Sequence, residues 1–227
     1  MTRRPRHLVA LGDSHLEALE FASRLNILDI DSSCFSIVPG ATVVGLRNPN
    51  SLTNAVDVFR STLLVQPKVS SVLIHLGEVD CGFVIWWRAK KYGESVEKQF
   101  QESLDAYRNF LIEIMEKGFF HLCIAGASLP TLSDGVDHGE IANKRAEICV
   151  SIQERTELTL RYNYSLAEIA SQLNIAYFDL ADAVLDKSSK LVHDFFRNPN
   201  TGDHHLDKDK VVALWATECN AFVRSVF

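Results

Sequence analysis

The sequence predicts an α/β fold built on a five-stranded parallel sheet with helices on both faces. Three observations carry that reading. Five short apolar runs recur along the chain, and longer amphipathic segments separate them. The runs are apolar without strict alternation, as strands buried on both faces are. The 227 residues, 47% of them hydrophobic, suffice for one core of this kind, and no internal repeat, low-complexity tract or Pro/Gly/Ser linker divides them. A single domain spanning 1–227 is therefore expected.

The first run, His7 to Leu11, reads as a buried strand. After Gly-Asp-Ser-His, residues Ala18, Phe21, Ala22 and Leu25 repeat at helical spacing, so a helix starts near Ser14. Cys34 to Val38 is the second strand, closed by Pro39-Gly40, and a helix covers Leu52 to Val65. Val69 to Gly77 is the third strand. An irregular stretch follows, in which Phe83 to Gly93 sets two tryptophans beside a basic cluster. It reads either as a buried aromatic anchor with a solvated basic tail or as a substrate wall. The next helix carries the apolar stripe Phe100, Leu104, Tyr107, Leu111 and Ile114. His121 to Ala127 is the fourth strand. A helix from about Ile141 to Leu173 carries Arg155, Thr159 and Asn163 at i, i+4, i+8, a stripe that reads first as a solvent face and otherwise as a buried polar network or part of the site. Ile175 to Leu180 is the fifth strand, and the last helix starts near Asp207 with Val211, Leu214, Trp215, Cys219 and Phe222 on one side.

The net charge of −6 argues against a broad nucleic-acid or anionic-membrane surface, because such partners need a positive field. Arg3, Arg4 and Arg6 precede an apolar run too short for a signal peptide, and no segment approaches the ~20 apolar residues of a membrane helix. The chain is expected to be cytoplasmic, with neither nucleic acid nor membrane as partner. Its five cysteines are scattered, with no Cys-x-x-Cys pair or close Cys/His cluster of the zinc-binding kind. Cys123 and Cys149 read as buried thiols in a reducing compartment.

In a parallel sheet covered on both faces, ligands bind beyond the carboxyl ends of the strands. The residues there are Gly12-Asp13-Ser14-His15, Pro39-Gly40-Ala41-Thr42 and Gly77-Glu78-Val79-Asp80, joined by Gly202-Asp203-His204-His205-Leu206 before the last helix. A hydrolytic serine needs a base, an acid that orients the base, and N–H donors for the oxyanion. Ser14 can supply the nucleophile, His205 or His204 the base, and Asp203 the orienting acid. Gly40 can bring a backbone N–H close. Each residue alone also has an ordinary reading: Ser14 as a helix N-cap, Gly40 as a turn residue, Asp203 as a turn cap, the two histidines as a solvated loop.

Taken in order, these blocks resemble the SGNH, or GDSL-type, hydrolases. Gly12-Asp13-Ser14 matches the family's first block. Gly40 matches the second-block glycine, with Gly45 as a fallback. Gly77-Glu78-Val79-Asp80 stands at the Gly-x-Asn-Asp block, and His205-Leu206 at the closing Asp-x-x-His block. The resemblance implies a three-layer α/β/α sandwich of flavodoxin-like type and an esterase or lipase mechanism without metal or cofactor. Ser14, Asp203 and His205 would be catalytic, with the amides of Ser14 and Gly40 forming the oxyanion hole.

Two departures stand out. Val79 replaces the asparagine that donates to the oxyanion, a loss that typically costs about 10²–10³ in rate. Asn48, Asn50, Asn54 and Arg88 are possible substitutes for that donor. At the last block, Gly202 stands three residues before His205, and Asp203 only two. Asp13, Glu78, Asp80 and His204 are candidates for binding the substrate's polar groups, since carboxylates accept well from sugar hydroxyls. The expected function is a serine esterase or deacetylase acting on a small or carbohydrate-linked acyl ester. An O-acyltransferase on the same site and a catalytically weak binding protein are the alternatives.

Overall fold

The computed structural model describes residues 5–48, 50–135 and 148–226. Five parallel strands form one sheet in the order β2-β1-β3-β4-β5. They are β1 (His7–Gly12), β2 (Ser32–Ile37), β3 (Ser71–His75), β4 (Leu122–Ala125) and β5 (Ala176–Phe178). The helices are α1 (Glu17–Arg24), α2 (Ala55–Leu64), α3 (Ile85–Tyr92), α4 (Val96–Glu116), α5 (Ile152–Leu173), the short α6 (Ala181–Val184) and α7 (Lys208–Val226).

Successive residues of one strand feed opposite faces of the sheet. Val9 and Leu11 of β1, with Val72 and Ile74 of β3, pack against α2, α4 and α5. Leu8, Ala10 and Leu73 pack against α1 and α7. Two cores on the two faces make the three-layer α/β/α sandwich. The strand order reverses direction between β1 and β3, so the loops leaving these two neighbours diverge and open a crevice at their carboxyl ends.

Glycine is required where that crevice begins. A Cβ at Gly12 would lie 2.4 Å from the His75 carbonyl oxygen of the adjacent strand. Gly77 has φ +124°, and a Cβ there would lie 2.9 Å from Tyr162 Cε1 and 3.1 Å from Ala127 Cβ.

Several expectations are corrected. The stretch after Gly77 is helical rather than irregular: a wide turn over Asp80–Val84 runs straight into α3, and Trp86 Nε1 donates to the Cys81 carbonyl at 2.7 Å. The helix is only eight residues long, and its two buried residues, Ile85 and Ala89, mark a single i, i+4 step, too little to establish a helical period in the sequence. The Arg155, Thr159 and Asn163 stripe faces inward, not solvent. Arg155 Nη2 donates to the Leu132 carbonyl at 2.9 Å and Thr159 Oγ1 to the Arg155 carbonyl at 2.8 Å. Asn163 accepts from the Ala127 N–H at 2.7 Å and donates to the Ala127 carbonyl at 2.9 Å. Cys149 is exposed at φ +52°, because it lies in the turn before α5 rather than on a helix. The start expected for that helix, 141–147, lies outside the described residues, as do Arg3 and Arg4. No described helix is long and apolar enough to cross a membrane.

Asp80 ties two rim loops together. Its carboxylate is fully buried and accepts from the amides of Val43 at 2.7 Å and Val44 at 3.1 Å. Burial raises its pKa to about 7, against the two amide hydrogen bonds that favour the charged form.

Two tests follow from these contacts. Replacement of Gly12 by alanine drives a methyl into a backbone carbonyl that cannot withdraw without breaking the β1–β3 pairing. Urea unfolding should show a loss of about 3 kcal/mol, the upper range of overpacking costs. For Asp80, the folded protein holds the proton to higher pH than the unfolded chain does. The stability this proton linkage contributes is complete below the ordinary aspartate range and disappears as pH rises through about 7. The stability advantage of the natural protein over Asp80→Asn should therefore be smaller at about pH 8 than at about pH 5. An advantage independent of pH would contradict the raised pKa.

Candidate active site

Beyond Gly12 the chain makes one 3-10 turn, Ser14–Leu16, that leads into α1. Ser14 starts this turn but does not cap it. The cap is Asp13, whose Oδ1 accepts from the His15 amide at 2.9 Å and sits 3.1 Å from His15 Nδ1. The Ser14 hydroxyl is thereby spared from capping and turns to the other end of the chain. His205 Nε2 lies 2.8 Å from Ser14 Oγ across 191 residues of sequence.

The two-residue spacing from Asp203 to His205 is what the local turn uses. Asp203 Oδ1 accepts from the His205 amide at 2.9 Å and lies 2.6 Å from His205 Nδ1. One carboxylate oxygen thus fixes both the backbone and the ring. Asp203 Oδ2 accepts from Asn198 Nδ2 at 2.9 Å. Burial pulls the Asp203 pKa up, but the hydrogen bonds from His205 and the nearby imidazoles outweigh it and hold the group below the usual range. An ionised carboxylate only accepts, so His205 Nδ1 carries the proton and Nε2 the lone pair that faces Ser14.

A cavity of about 330 Å³ opens beside this relay, with Ser14, His15, Ser128, Asn198, Asp203 and His205 on its wall. Sequence reasoning misses Asn198, Ser128 and His75; the first two sit in loops without a motif. His75, the last residue of β3, is buried and has its pKa lowered mainly by desolvation. Its Nδ1 donates to the Ala125 carbonyl at 3.2 Å, which leaves Nε2 to accept from Ser128 Oγ at 3.3 Å.

The remaining predicted residues divide. Gly40 lies in the exposed turn after β2 with φ +70°, on the rim that carries Ser14. Gly45 is buried, and its amide donates to Thr42 Oγ1 at 2.9 Å. The His204 ring stacks at a tilt 4.0 Å from that of His205. Asp13, Glu78 and Asp80, expected to touch substrate hydroxyls, are all 0–1% exposed. The correction has one physical cause: each carboxylate is turned inward to the rim's own framework. Asp13 holds His15, Asp80 holds the Val43 and Val44 amides, and Glu78 Oε2 lies 3.8 Å from His15 Nε2. Asn48, Asn50, Asn54 and Arg88 do not line the cavity beside Ser14. Arg88 is engaged elsewhere, with Gln99 at 2.5 Å.

No family sequence model matches the chain, and no curated protein sequence does. Solved structures do. A carbohydrate acetylesterase family member from Sinorhizobium meliloti superposes with TM-score 0.63 at 13% identity, over 97% of this chain and 98% of that one. The native aryl esterase of M. smegmatis gives TM-score 0.62 at 11% identity, over 98% and 100%. A GDSL-like lipase from Bacteroides thetaiotaomicron gives 0.54 at 12% identity, over 98% and 89%. At such identities the likeness speaks for architecture, and the chain has the α/β/α fold of the SGNH/GDSL-type hydrolases.

Proposed function

We propose that this protein is a serine ester hydrolase that acts on a small or carbohydrate-linked acyl ester, acetyl foremost. The observation that carries the reading is the unbroken relay Asp203–His205–Ser14 beside an open cavity. Ser14 Oγ attacks the ester carbonyl while His205 Nε2 takes its proton. The imidazolium formed is stabilised by Asp203 and returns the proton to the departing alcohol oxygen as the C–O bond breaks. Water, deprotonated by the same nitrogen, then cleaves the acyl-serine. Negative charge on the carbonyl oxygen is met by the Ser14 amide at the start of its turn; Gly40, the other expected donor, is exposed and does not line the cavity.

The cavity's polar wall supports a hydroxylated alcohol partner. Glu17, Asp207, Lys208 and Asp209 line it, and they take the role expected of the buried Glu78 and Asp80. The acetylesterase among the similar structures supports the same substrate class. Val79 supplies no side-chain donor, so turnover is expected to be modest beside an enzyme with the full oxyanion set.

Labelling by a fluorophosphonate probe tests this reading. The natural protein should label, and Ser14→Ala and His205→Ala should not. Hydrolysis of p-nitrophenyl acetate should fall at least about 10³-fold in both variants. An unlabelled natural protein without acetyl-ester turnover would refute the proposal. Asn198→Ala removes a charge-assisted bond to Asp203. Its kcat should drop about tenfold, the equivalent of roughly 1.4 kcal/mol.

A further inference from the structure

We infer that His15, His204 and His205 form a binding site for a divalent transition metal of the zinc class, and that its occupation turns the serine site off. Metal binding stands apart from the esterase reading; only the inhibition rests on it.

The three imidazoles come from two ends of the chain and converge on one point. One ring nitrogen of each lies within 4.8 Å of those of the other two. The ring centroids are 4.6 Å apart for His15 and His205, 5.1 Å for His15 and His204, and 4.0 Å for His204 and His205. Two of the rings are already oriented as metal ligands are. His15 Nδ1 lies against Asp13 at 3.1 Å, and His205 Nδ1 against Asp203 at 2.6 Å. A carboxylate that accepts from Nδ1 fixes the tautomer with its lone pair on Nε2, the arrangement usual behind metal-bound histidine.

The surroundings of the cluster suit a dication. The carboxyl groups of Asp13 and Asp203 stand directly behind two of the rings, and Glu78 Oε2 sits 3.8 Å from His15 Nε2. An all-imidazole donor set favours zinc, copper or nickel over magnesium or calcium, which prefer oxygen. In a tetrahedral site with Zn–N near 2.0–2.1 Å the nitrogens stand about 3.4 Å apart. Loading therefore requires His204 and His205 to move inward by about an ångström. They lie on a loop, half-buried, whereas His15 is held in the framework.

The consequence is competition for one lone pair. His205 Nε2 cannot both ligate a metal and accept the Ser14 proton. A bound metal therefore leaves Ser14 without its base, and a chelator restores it.

The test uses the full chain freed of metal with EDTA. Titration with Co²⁺ should give saturable visible absorption of the tetrahedral type at one metal per chain, and Zn²⁺ should displace it. Ser14→Ala should bind equally well. His15→Gln and His204→Gln should each weaken binding at least about tenfold, with folding checked by circular dichroism. If His15→Gln does not fold, the half-exposed His204 decides alone. In the active natural protein, ester turnover should fall in step with Zn²⁺ occupancy and return with EDTA. Absence of saturable binding, or undiminished binding in the folded variants, overturns the site. Full turnover at saturating Zn²⁺ overturns the switch and leaves the site. Metal binding by a protein that hydrolyses no ester leaves the site and removes the esterase reading.

Discussion

The hydrogen bond between Ser14 and His205 depends on where the last helix lands. Helix α7 lies along α1, and Trp215 is buried edge-on against His75 and Phe178, with ring centroids 5.0 and 5.8 Å away. Further along, Asn220 bonds the chain beyond α1 twice. It accepts from the Asp29 amide at 2.7 Å and donates to the Ile27 carbonyl at 3.0 Å. Arg224 adds an ion pair with Asp29. Burial of the tryptophan holds the helix most strongly, since truncating such a side chain costs about 3–5 kcal/mol while each hydrogen bond contributes about 1. The helix start is tied down too, through the Arg197–Leu206 bridge and the Asp207 amide on the Phe196 carbonyl at 2.9 Å. His205 hangs between these anchors, which is why a contact so distant in sequence can be short in space.

The rim uses one local device twice. In Asp13-x-His15 and again in Asp203-x-His205, an aspartate holds the amide and the ring Nδ1 of the residue two positions ahead. The first copy is sealed from solvent and the second is partly open. Both aspartates are held below the usual carboxylate range, the first against the stronger desolvation of full burial. The same chemistry thus builds a fixed wall on one side of Ser14 and an adjustable base on the other.

The inner strands β1, β3 and β4 are readable because each alternates its side chains between two buried faces, so that apolar residues cluster in short runs. Ser14, His205 and Asp203 can be named because they stand at strand and helix boundaries, where the chemistry of this fold resides. What stays hidden depends on contacts between distant segments. Arg155 and Asn163 look like surface residues until the carbonyls and amides of the loop after β4 are brought against them. Glu78 and Asp80 look free to meet a substrate for the same reason, since their burial comes from the neighbouring loop and from His15. The cap falls on Asp13 rather than on Ser14, because both residue types cap well and adjacent positions compete. Asn198 lies in a loop with no periodicity to mark it.

Asn163 imitates a peptide unit. Its side-chain amide meets both polar groups of Ala127 as a neighbouring strand would, although it projects from a helix. The sheet's ladder is thereby prolonged past the last β4 residue by a surrogate rung borrowed from the flanking layer. Neither aspartate nor leucine can serve as that rung: the one brings an acceptor against a carbonyl, the other brings nothing polar at all. The loop that carries Ser128 to the cavity wall is therefore seated on α5 as well as on the sheet.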